Sequence, residues 1–209
     1  MRARMALMVA GITVELREVK LANKPPELLA ISPKATVPVL QIGTSTLLEV
    51  PKIIEESLDI MHWALGQNDP EDWLSGDDTE LIARNDGAFK HHLDRYKYPT
   101  RYPEEAGGDE ATFRYDHRGH GLKILGELND RLQSQPFLNG NARTLADIAI
   151  FPFIRQFANT DRDWFDEQPL HPLQEWLEAH LASDLFASIM GKYTPWAAGD
   201  ETVKLGEET

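Results

Sequence analysis

The sequence predicts an α/β domain followed by an all-α domain. Three observations carry this. Residues 12–19 alternate apolar and polar between two helical segments, a proline-bearing pair of strand-like runs follows, and beyond a polar stretch at 66–77 only helical spacing remains.

The elements follow in order. Residues 1–10 set Met1, Met5 and Met8 on one side, with Ala6, Val9 and Ala10 beside them, which reads as a core-facing helix stopped by Gly11. In "ITVELREVKL", Val14, Leu16 and Val19 alternate with Glu15, Arg17 and Glu18, predicting a half-buried strand over 12–19. Pro25-Pro26 opens a short helix through Ala30. "TVPVLQIGTSTLLEV" predicts strands over 37–42 and 46–50, turning at Gly43-Thr44. Leu58, Met61 and Leu65 resume helical spacing. The polar "GQNDPEDWLSGD" then marks a boundary near residue 70.

Helices are expected over 78–96, 111–133, 144–158, 172–183 and 184–190, with Trp164, Trp176 and Trp196 in the core. The predicted organisation is a first domain over 1–68, a helical domain over 77–196 and a loosely ordered acidic tail over 197–209.

Composition narrows the function classes. The chain has 209 residues, 42% hydrophobic, with five tryptophans, enough for a folded globule with a real core. Its 34 acids against 21 bases give a net charge of -13, which repels phosphate backbones and anionic lipid. No nucleic-acid partner and no membrane association are therefore expected. No apolar run approaches the ~20 residues of a membrane helix, and residues 1–11 lack a signal peptide's apolar region and cleavage site. A soluble cytoplasmic protein is expected. With no cysteine, this polypeptide forms no disulfide or thiolate metal site and carries no cysteine nucleophile.

Two stretches could carry chemistry. In "SPKATVPVL", Pro38 lies inside a strand-like run, and proline cannot donate to a ladder. The strand is thus an edge, is bulged, or is entered through a cis bond. A cis bond at Val37–Pro38 turns the Val37 N–H and C=O outward toward an extended peptide-like ligand; an ordinary trans proline on an edge strand is the alternative. In "IIEESLDIM", Ser57 stands where a helix begins. Its hydroxyl and the free N–H groups of the first turn suit a carboxylate, and Glu56 beside it suits an ammonium. A plain helix cap is the alternative. Further on, Thr144 and Asp147 in "NGNARTLADIAIFPFI" form a capping-box-like pair before a very apolar helix. His91-His92 and His117/His120 lack acidic or cysteine partners at ligand spacing, so no metal is expected there.

With these three motifs in this order, the chain resembles the glutathione S-transferase family over nearly its whole length, as a thioredoxin-like first domain and a helical second one. The resemblance implies that Pro38 is cis and that Val37 pairs with the cysteinyl backbone of glutathione. It implies that Glu56 and Ser57 hold the γ-glutamyl end. It further implies glutathione as co-substrate, a small electrophile or disulfide as its target, and a homodimer. Tyr96, Tyr98, Tyr102 and Tyr115, with Arg95 and Arg101, fall where the family's second domain faces an acceptor pocket, although ordinary helix-surface and core aromatics are the favoured reading. Two departures stand out. In the family a strand and a loop bearing the catalytic Cys, Ser or Tyr precede the helix that "MRARMALMVAG" resembles. The sequence here starts at that helix, so an incomplete first domain is expected and no catalytic residue is assigned. The family reading accordingly stands beside a non-enzymatic adaptor on the same fold and an inactive truncated form. Secondly, "TLLEVPKI" resembles an insertion that could displace Glu56 and Ser57 from Pro38.

Overall fold

The computed structural model describes residues 1–43 and 51–206. The chain divides into two compact units, residues 1–71 with 184–209, and residues 72–183.

In the first unit, α1 (Arg2–Val9) is followed by β1 (Val14–Glu15), α2 (Pro26–Ile31), β2 (Leu40–Ile42), β3 (Lys52–Ile54) and α3 (Ser57–Gln67). Helix α1 packs against α3, with Met5, Ala6 and Leu7 buried on one and Ile60, Met61, Ala64 and Leu65 on the other. Ala3 and Ala10 are buried too, while Met8 is only half-buried. The buried face is wider than the methionine stripe because α1 also contacts a helix from the far end of the chain. Pro26 at the first turn of α2 costs no hydrogen bond, since that N–H has no intrahelical partner anyway.

Strands β2 and β3 pair antiparallel, Leu40 with Ile54 and Ile42 with Lys52. The strand expected over 46–50 and the turn at Gly43-Thr44 fall largely on residues 44–50, outside the described ones. The strand that does pair lies just after them.

The second unit opens with a short 3₁₀ turn, Trp73–Gly76, that buries Trp73 completely in a stretch expected to be loop. Next come α4 (Thr79–Arg84), a π-helical turn over Asn85–Phe89 and α5 (Lys90–Lys97), which realise the helix expected over 78–96 with one widened turn. A 3₁₀ turn at Pro99–Arg101, α6 (Pro103–Ala106) and the long α7 (Glu110–Leu132) follow. Helix α8 (Leu145–Ala158) is buried on nearly every face, as its sequence suggested. The short α9 (Arg162–Asp166) was not anticipated, and α10 (His171–Leu181) closes the unit. Trp176 is buried; Trp164 and Trp196, expected in the core, are half-buried beneath the guanidinium groups of Arg118 and Arg17, at 4.0 and 4.4 Å from the ring centroids.

Two expectations about the end of the chain are corrected. Helix α11 (Asp184–Ile189), assigned to the helical domain over 77–196, packs on α1 of the first unit. The segment over 197–209, expected to be a loose tail, carries β4 (Lys204–Leu205), which pairs antiparallel with β1 through Val14↔Leu205 and Glu15↔Lys204. Leu16 N–H donates to the Val203 carbonyl at 2.8 Å and Trp196 N–H to the Glu18 carbonyl at 2.8 Å. The polar groups of β1 thus find partners in a distant segment, a pairing that local composition does not encode. Gly206 permits the approach: its φ is +97°, and a Cβ there would meet the Ile12 carbonyl oxygen at 2.9 Å.

Candidate functional site

The first-unit site is built from the loop after α2, the β2–β3 pair and the start of α3. Ser32 closes α2; it is fully buried, and its hydroxyl donates to Glu55 Oε1 at 2.6 Å. Two residues on, Lys34 Nζ donates to Glu56 Oε1 at 3.1 Å and lies 4.0 Å from Glu55 Oε2. The Glu56 carboxylate and then Glu55 hold the exposed Lys34 ammonium above its ordinary pKa. The backbone runs on to Val37, 44% exposed and joined to Pro38 by a cis peptide bond.

The β2–β3 ladder ends at Leu40 and Ile54. Pro38 stands two residues before that end on one strand, and Glu56 two residues after it on the other. The "TLLEVPKI" stretch ends inside β3, three residues before Glu56.

Glu56 is the N-cap of α3 and Ser57 its first residue; no side chain caps the helix. First-turn N–H groups of an α-helix lack intrahelical partners and carry its positive dipole end. Beside them lies an open groove of about 580 Å³, lined among others by Lys34, Lys52, Glu55, Glu56, Asp59 and His62. Both ammonium and carboxylate groups line it, which suits a ligand bearing both charges. Of the four residues singled out from sequence, Glu56 lines this groove; Val37, Pro38 and Ser57 are not among its lining residues. Lys34 was missed, although it stands four residues before Pro38 in the stretch that drew attention.

Arg4 donates to Glu18 Oε2 at 2.8 Å, and Arg2 is buried.

Three of the tyrosines expected to share an acceptor pocket take three different environments. Tyr96 is fully buried against Phe157 (centroids 5.0 Å apart), and burial pushes its phenol up despite the nearby Arg118 and Arg114. Tyr102 is half-buried under the Arg95 guanidinium at 4.2 Å, and Tyr115 is 52% exposed beside Arg118. They come from three elements: Tyr96 from α5, Tyr102 from the turn before α6, and Tyr115 from α7.

A second constellation was not expected. His91, His92 and His117, read from sequence as solvated and without a metal role, offer ring nitrogens that all lie within 4.8 Å of one another. Sequence spacing could not reveal it, because His117 comes from α7 and the other two from α5. Burial, then the neighbouring His117, His120, His91 and Arg95, push His92 down to about 4, and burial likewise lowers His117.

The start of α8 forms a third polar focus. Asp147, fully buried, accepts at Oδ2 from the Thr144 N–H and hydroxyl, both at 2.9 Å. At Oδ1 it accepts from the Leu138 N–H and the Trp176 indole, also both at 2.9 Å. This is the capping box expected from "TLAD".

Comparison with known proteins gives a consistent result. Residues 1–65 match the family model for the glutathione S-transferase N-terminal domain, and residues 80–179 that for its C-terminal domain. No curated protein matches. Among solved structures, a glutathione S-transferase from Xylella fastidiosa is 19% identical with a TM-score of 0.72, over 90% of each chain. A Pseudomonas fluorescens family member with two glutathione bound is 18% identical, TM-score 0.70, over 89% of this chain and 85% of that one. A Pseudomonas putida glutathione transferase with glutathione disulfide bound is 19% identical, TM-score 0.70, over 91% and 86%. At such identities the likeness is one of fold: a thioredoxin-like domain and a helical domain. Among the described residues, no helix is long and apolar enough to cross a membrane.

Proposed function

Since the chain belongs to the glutathione S-transferase family, we propose that it binds glutathione along the first-unit groove and promotes attack by the glutathione sulfur on a small electrophile or disulfide. The observation that carries this reading is the open groove beside the uncapped start of α3, lined by both ammonium and carboxylate groups. The γ-glutamyl carboxylate takes the Ser57 hydroxyl and the first-turn N–H groups of α3. Its ammonium takes Glu56, displacing Lys34, which turns to the glycyl carboxylate. The cysteinyl N–H and C=O pair with the exposed Val37 backbone, as one added strand residue would. In an attack on carbon, the thiol gives up its proton to solvent water, and the thiolate forms the new C–S bond as the leaving group departs with its electron pair. In an attack on a disulfide, the thiolate forms a mixed disulfide and expels the other sulfur as thiolate. Glutathione-bound structures of similar fold support glutathione as the ligand.

The test is calorimetric titration of glutathione into the protein and its Ser57→Ala variant. A hydrogen bond to a charged group is worth about 1.5–3 kcal/mol, so the variant should bind about 10- to 100-fold more weakly. Equal affinity in the two proteins, or no binding by the wild type at millimolar glutathione, overturns the reading. Binding without conjugation of an electrophile supports a non-enzymatic adaptor that uses glutathione as a structural ligand.

A further inference from the structure

The α5–α7 interface of the second unit carries a cluster that the glutathione reading does not use. His91 and His92 sit side by side on α5, and His117 reaches them from α7, the helix packed against it. His92 Nδ1 and His117 Nδ1 are 2.8 Å apart, so one ring carries the proton between them and the other presents its lone pair. His91 stands edge-on to both, with centroids 5.0 Å from His92 and 5.6 Å from His117. His120, one turn along α7 from His117, stacks on His92 at 4.8 Å and 20°.

We propose that His91, His92 and His117 bind a divalent transition-metal cation of the imidazole-preferring class, Zn²⁺, Ni²⁺ or Cu²⁺, bridging α5 and α7.

Geometry carries the proposal. With metal–nitrogen bonds of about 2.0–2.1 Å, tetrahedral coordination sets its nitrogen ligands about 3.3 Å apart. The observed separations, 2.8 Å for the closest pair and no more than 4.8 Å for any pair, bracket that value. Small side-chain rotations therefore suffice, and His91 is exposed and free to make the largest of them. Loading the site needs one ring to move its proton from Nδ1 to Nε2, after which both Nδ1 lone pairs face the cation. A fourth position stays open to water.

The surroundings fit a cation held by neutral nitrogen. Phe113 closes one side of His117 at 4.5 Å between centroids. The Glu105 carboxylate is held by Arg95 through Nε and Nη2 at 2.8 and 2.7 Å and so is not offered as a ligand. An all-imidazole donor set suits zinc, nickel and copper, whereas magnesium and calcium require oxygen.

The site lies within one unit and is independent of glutathione, so its test stands apart from that of the proposed function. Zn²⁺, Ni²⁺ and Mg²⁺ are titrated separately into the full chain after chelator treatment, with calorimetric and melting readouts. One equivalent of Zn²⁺ or Ni²⁺ should bind and raise the melting temperature, while Mg²⁺ should do neither. His117→Ala and His91→Ala should each weaken binding by at least about tenfold, and His171→Ala, on α10, should leave it unchanged. Cu²⁺ bound to the wild type should show nitrogen hyperfine structure in its electron paramagnetic resonance spectrum. Because His91 is exposed, its variant keeps the test valid should the His117 variant fail to fold. Absence of Zn²⁺ and Ni²⁺ binding below about 1 mM, or equal binding by wild type and His91→Ala, overturns the proposal.

Discussion

Two helix starts in this molecule look alike in sequence and differ in structure. At α8, Thr144 is followed three residues on by Asp147, whose carboxylate is fully buried and accepts from two Thr144 groups, the Leu138 N–H and the Trp176 indole. At α3, Glu56 and Ser57 stand at the first turn without a side-chain cap; the Glu56 side chain is 63% exposed and engages only the mobile-stemmed Lys34 among the contacts described. A helix end whose polar groups are consumed internally holds the fold together. One whose groups face an open groove can serve a ligand.

The largest expected effect lies at the closed end. Asp147→Ala removes the acceptor of four donors, and each buried donor left unpaired costs about 1–3 kcal/mol. Urea denaturation should show a loss of about 4 kcal/mol or more, large enough to be diagnostic, with Asp147→Asn intermediate. A loss below about 1 kcal/mol would mean that water replaces the carboxylate and that the two ends differ less than their burial implies.

Acid should act next, through the same buried cluster. His180 lies against Trp176 (4.6 Å) and Phe151 (5.1 Å), and burial, helped by the Arg143 charge, pushes its pKa down to about 3 from 6.5. As pH falls below 6.5 the unfolded chain takes up a proton that the native state refuses, so stability is lost toward pH 3. Between pH 7 and pH 5 this single group should cost about 2 kcal/mol. Urea melts at the two pH values should show that difference between wild type and His180→Leu; equal pH dependence would contradict it.

Thr144→Ala should cost about 0.5–2 kcal/mol, the usual range for a lost N-cap residue, again by urea denaturation. The smallest effect is expected at the open end: Ser57→Ala should change stability by less than about 0.5 kcal/mol. A larger loss there would make Ser57 a structural cap and remove its distinction from Thr144.

How far each end could be read from sequence follows from range. "TLAD" encodes a cap and its partner three residues apart, so the box was legible, while its bonds to Leu138 and Trp176 were not. "VPVL" and "EES" were legible as separate pieces. The strand pair that links them has its second strand at Lys52–Ile54 rather than over 46–50. Lys34 went unnoticed because its partner Glu56 is 22 residues away. The histidine cluster joins residues 25 apart across two helices, and the β1–β4 pairing joins residues 191 apart in Val14 and Leu205. Local patterning reports periodicity and caps; contacts closed by tertiary packing leave no local trace. Burial on α1 was misjudged for the same reason, since α11 arrives from the other end of the chain.

The most direct test of the contrast between the two helix starts follows both at once. In a ¹⁵N–¹H correlation spectrum titrated with glutathione, the account predicts the largest amide shifts at Val37, Ser57, Leu58 and Asp59, with the amides of residues 144–148 unmoved. Saturating glutathione that leaves Ser57 to Asp59 unshifted, or that shifts the start of α8 as strongly, would contradict it.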